Sequence, residues 1–71
     1  MKRQKVEVAA PVLVRRVKRA LKREGETIRV QRGGDIIRID TSKNFLIDGD
    51  VDIESLARKL GVLKPWEEVA R

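Results

Sequence analysis

The sequence predicts an α+β domain in the order α-β-β-β-α, a three-stranded antiparallel sheet packed against helices with a short C-terminal helical tail. Three observations carry that reading. Residues 12–24 repeat their apolar positions at helical spacing, residues 27–40 are two β-rich runs broken by Gly33-Gly34, and residues 53–60 return to helical spacing between aspartates and a glycine. Apolar residues every three to four positions mark one face of a helix, and β-branched runs split by a glycine pair mark a hairpin.

Residues 1–10 read as a basic N-terminal arm and residues 11–71 as a single α+β domain. Within the arm, Val6 and Val8 alternate with Lys5 and Glu7, a pattern compatible with a short edge strand. Pro11 stands in the first turn of a helix, where the N–H it lacks has no intrahelical acceptor. Leu13, Val14, Val17, Ala20 and Leu21 then share one arc, and Arg15, Arg16, Lys18, Arg19, Lys22 and Arg23 share the opposite one. Gly25 is the stop, and the basic last turn suits the negative end of the helix dipole.

Gly33-Gly34 predicts a two-residue turn, which sets a register. Arg32 then faces Asp35, Gln31 faces Ile36, Val30 faces Ile37, Arg29 faces Arg38, and Ile28 faces Ile39. Ile28, Val30, Ile37 and Ile39 land on the buried face, and Arg29 and Arg38 land together on the other. Thr41 to Asn44 reads as a turn and Phe45-Leu46-Ile47 as the third strand. Asp50 or Asp52 caps a helix with Ile53, Leu56, Ala57 and Leu60 inward; Gly61 ends it and Val62 folds back on it. Pro65 opens a last helical turn through Ala70, with Trp66 as a core or interface plug holding the tail.

Composition bounds the function. A chain of 71 residues buries only roughly 60% of the surface its unfolded form exposes, so such domains lean on disulfides, metal or self-association. With no cysteine and no histidine, self-association as a homodimer is the expected support. The absence of histidine, cysteine and tyrosine also leaves catalysis without its usual groups, so no enzyme, no cofactor and no small-molecule substrate are inferred. No run approaches a signal peptide or a membrane span, so a cytoplasmic protein is expected. The acidic run Asp48, Asp50, Asp52, Glu54 fails as a calcium loop, because Ile53 holds the glycine position and Lys59 the closing glutamate position.

The charge is asymmetric. Residues 1–38 carry twelve Lys/Arg against four acids, and residues 39–71 carry five against seven. A basic half beside a mildly acidic half implies a directed electrostatic face, and phosphate backbones are the common partner of a basic helical stripe. Nucleic acid is therefore the expected partner, DNA ahead of RNA. Arg15, Arg16, Lys18, Arg19, Lys22 and Arg23 are the candidate phosphate contacts, supported by Arg29, Arg32 and Arg38. A two-stranded ribbon also fits a DNA major groove, where Arg29 and Gln31 are candidate base readers. A purely aliphatic apolar side argues against a membrane-surface helix. The competing class is a protein-interaction module whose basic face is merely solvated.

Residues 51–71, above all Leu-Ala-Arg-Lys-Leu-Gly-Val-Leu-Lys-Pro-Trp-Glu, resemble the end of short proteins carried on bacterial plasmids and integrative elements, some linked by position to regulatory or antirestriction loci. With a loose fit of the first helix the resemblance covers roughly half the chain and carries no functional residues; it implies a plasmid-type DNA-binding regulator. Two architectures compare at the level of fold alone. The α-β-β-β-α order is that of double-stranded RNA-binding domains, which place lysines at the start of the second helix, where this chain has Asp52 and Glu54. Ribbon-helix-helix repressors fit Lys5 to Val8 and the first helix, but need a helix where Ile28 to Ile39 reads as strand.

Overall fold

The computed structural model describes residues 5–70. Its elements are β1 (Val6–Val8), α1 (Ala10–Lys22), β2 (Glu26–Val30), β3 (Ile36–Asp40), β4 (Phe45–Asp48), α2 (Ile53–Leu60) and β5 (Glu67–Val69). The expected order is present as α1-β2-β3-β4-α2, with β2, β3 and β4 forming an antiparallel sheet in that spatial order. Strands β2 and β3 occupy the stretch where a ribbon-helix-helix fold needs a helix, which removes that architecture.

Helix α1 buries Leu13, Val17 and Leu21 completely, three positions four residues apart on one stripe. With Val8, Ile28, Leu56, Ala57 and Leu63 they make the core. The chain leaves α1 through Gly25, whose φ of 70° is left-handed and costs glycine little. Asp52 caps α2 by accepting from the backbone N–H groups of Glu54 and Ser55 at 3.1 and 3.3 Å. Gly61 closes α2 in the left-handed conformation, and the turn carries Leu63 into the core.

The tail departs from expectation. Residues after Pro65 form strand β5 rather than a helical turn, and β5 pairs in parallel with β1. The Val6 N–H donates to the Trp66 carbonyl and the Ala70 N–H to the Val8 carbonyl, both at 2.8 Å. Two short segments thus satisfy each other's backbone groups while Val8 enters the core. Trp66 is 50% exposed, so it is not a core plug; pairing with β1 and side-chain bonds from the helices hold the tail instead.

The hairpin register is one residue off the expected one. The pairs are Val30 with Ile36, Arg29 with Ile37, Ile28 with Arg38, Thr27 with Ile39 and Glu26 with Asp40. The loop has three residues, Arg32-Gly33-Gly34. The Gly34 N–H donates to the Gln31 carbonyl at 3.0 Å, the Gln31 N–H donates to the Asp35 carbonyl at 2.6 Å, and Gly34 has a φ of 92°. Such a loop is a turn followed by a left-handed bulge residue, and a glycine pair admits it as readily as the two-residue turn. A one-residue slip exchanges faces. Ile36 therefore joins Ile28 on the side packed against the core, while Ile37 and Ile39 move to the outer face with Arg29. Arg38 leaves Arg29 and donates to Glu26 at 2.6 Å.

The domain measures 49 × 27 × 15 Å with a radius of gyration of 13.0 Å. A compact chain of this length has a radius of about 11 Å, so the molecule is extended. The cause is the sheet: α1 packs on β2 and on α2, and neither helix makes comparable contact with β3 or β4. Among the described residues no helix is long and apolar enough to cross a membrane.

Candidate nucleic-acid interface

Helix α1 presents its cations on two neighbouring stripes. Arg15, Arg19 and Arg23 follow each other at four-residue intervals, about 6 Å apart along the axis. Lys18 and Lys22 run parallel to them, about 60° around the helix. Beside the arginine stripe lies a groove of about 810 Å³. Val12, Ala20, Leu60 and Val62 give it an apolar floor, and Arg15, Arg16, Arg19, Arg23 and Lys64 supply its cations. The lysine stripe borders a smaller recess of about 440 Å³ shared with Arg19, Glu26, Thr27 and Thr41.

Arg16 is the structural member of the set. Its Nη1 donates to both oxygens of Glu67 at 3.1 Å and to the Val62 carbonyl at 3.2 Å, which ties the segment after α2 to α1 and sets the width of the groove. Arg58 assists from α2, donating to the carbonyls of Lys64 and Glu67 at 3.3 and 3.0 Å. The Glu67 carboxyl titrates below the ordinary glutamate range. The largest cause is the Lys64 backbone N–H it accepts at 2.9 Å, followed by Arg16 as donor and charge, against the opposing effect of burial. A carboxylate so engaged leaves Arg16 committed to Glu67. Arg15, Lys18, Arg19, Lys22, Arg23, Arg29 and Arg32 take part in no ion pair with another described residue.

The nine candidate cations thus separate into three groups. Arg15, Arg16, Arg19 and Arg23 converge on the groove, with Lys18 and Lys22 on the adjoining stripe. Arg29 and Arg32 sit apart, on the outer face of β2 and in the hairpin loop, both exposed. Arg38 is held by Glu26 with most of its side chain covered, and its charge is spent inside the fold. Arg29 lies in β2 and Gln31 one residue beyond its end, both exposed. Lys64 was not foreseen: a single lysine between Leu63 and Pro65 has no periodicity to single it out, and only the docking of the tail brings it to α1. The partnership of Arg16 with Glu67, 51 residues away, is equally invisible along the chain.

Compared with known proteins, the chain matches no family model, no curated protein and no solved structure.

Proposed function

We propose that this protein is a small basic nucleic-acid-binding protein, a DNA-binding regulator or accessory protein of a bacterium or its mobile elements. The observation that carries the reading is the convergence of Arg15, Arg19 and Arg23, in no ion pair with another described residue, along one open groove with Lys64 on its opposite wall. Guanidinium groups match phosphate bidentately, and the groove puts several within reach of one strand of backbone. The lysine stripe adds long-range attraction, and the exposed Arg29 and Arg32 of the hairpin extend the same positive half. Duplex RNA is the poorer partner, because α2 opens on Asp52 and Glu54 rather than on lysines.

A fluorescence titration with random-sequence duplex DNA at about 50 and 200 mM salt tests this. The expected outcome is micromolar binding at low salt that collapses at the higher concentration. Absence of binding at low salt would sink the reading. The half-exposed Trp66 and the uncovered strand β4 favour a second reading, a protein-interaction module. Its binding would vary little with salt, because apolar contact releases no counterions.

A further inference from the structure

Strand β4 is built unlike any other element. Among the described residues it has β3 on one side only, which leaves the outer row of its backbone N–H and C=O groups open. Phe45, Leu46 and Ile47 are consecutive, and they are 63%, 54% and 42% exposed. Three adjacent uncovered apolar side chains on an open strand edge are what a monomer avoids and an interface uses. The ends of the segment carry opposite charges: Lys43 precedes the strand, and Asp48 and Asp50 close it. The turn before the strand is fixed, because the Asp40 carboxylate accepts from the Ser42 hydroxyl at 2.7 Å and from the Ser42 and Lys43 backbone N–H groups at 3.0 and 3.2 Å.

We infer that the β4 edge is a homodimer interface, in which a second copy of this chain pairs antiparallel along β4 and doubles the three-stranded sheet. The charge pattern selects both occupant and direction. Antiparallel pairing about a two-fold axis brings Lys43 of each copy to the aspartate end of the other, so the two contacts are identical and the assembly closes. Parallel pairing would set aspartate beside aspartate, which is unfavourable across strands. The opposite edge of the sheet is less suited, because β2 has Val30 as its one exposed large apolar side chain and turns Ile28 into the core. The bulge beside Ile47 confines regular pairing to a short stretch, so side-chain burial and the end charges carry the contact. The inference is independent of what the α1 groove binds.

Sedimentation velocity without nucleic acid tests it. The expected result is a concentration-dependent shift from the 8.1 kDa monomer to twice that mass, with Leu46→Lys weakening dimerisation at least about tenfold at unchanged circular dichroism. A charge test serves even if Leu46→Lys fails to fold. Lys43→Glu and Asp50→Lys each weaken self-association, and an equimolar mixture of the two restores a dimer of wild-type affinity. A wild type that stays at 8.1 kDa up to about 0.5 mM overturns the inference. So does a folded Leu46→Lys that dimerises like the wild type, or a mixture no tighter than either variant alone.

Discussion

The helical body and the β3-β4 extension are made of similar residues and meet opposite fates. In the body, Leu13, Val17, Leu21 and Ile28 are essentially without exposure, because α1 lies across β2 and α2 closes the side. In the extension, every residue of β4 is exposed although three of the four are large and apolar. Apolar content therefore does not locate the core of so small a chain; the layer that covers it does. Among the described residues there are two helices, and both are used on the same end of the sheet.

Breaking the core should produce the largest difference between the regions. Leu21→Ala is expected to cost about 2–5 kcal/mol, enough to unfold much of so small a domain, whereas Leu46→Ala should change monomer stability by less than about 0.5 kcal/mol. Thermal melts at a concentration where the chain is monomeric check both. Next in size is Asp52→Ala, expected to cost about 1 kcal/mol by leaving the first N–H groups of α2 without their acceptor. Gly34→Ala should cost a similar amount, about 1 kcal/mol, because φ at 92° strains any residue with a Cβ. That loss sharpens the comparison, since it arises in the loop leading into the extension, from backbone geometry and not from burial.

The smallest expected effect is one of pH. Glu67 titrates lower in the fold than as a free side chain, so its contribution is present at neutral pH and is lost as pH falls from the ordinary glutamate range through the lowered folded value. Glu67→Gln should flatten the acid limb of the stability profile. Urea melts across that range measure it, and an unchanged acid limb would show that the Arg16–Glu67 contact contributes nothing to tail docking.

Both helices were legible in the sequence because their apolar stripes agree with their caps: Leu13, Val17 and Leu21 in one, Asp52, Leu56 and Gly61 in the other. The strands were legible as strands, but their register was not. Ile36, Ile37 and Ile39 place apolar side chains on both faces of β3, so alternation does not choose between registers, and Gly33-Gly34 accepts two loop lengths. The tail was not legible because Glu67–Val69 becomes a strand only by pairing with β1, 61 residues earlier in the chain. Of the candidate cations, the α1 set was legible from periodicity alone. That Arg16 and Arg38 would be claimed by Glu67 and Glu26 depended on long-range packing and on the hairpin register.

The central claim is that the arginine groove, rather than the basic helix at large, contacts phosphate. It is tested most directly by comparing the salt dependence of duplex-DNA binding for two variants, Arg15→Ala/Arg19→Ala/Arg23→Ala and Lys18→Ala/Lys22→Ala. Each lost phosphate contact lowers the slope of log K against log salt by about 1. The account predicts a slope reduced by about 3 for the groove variant and by clearly less than about 1 for the lysine variant, each folded as the wild type. Equal reductions per residue removed would contradict it, and would make α1 a uniformly charged rod with no site of its own.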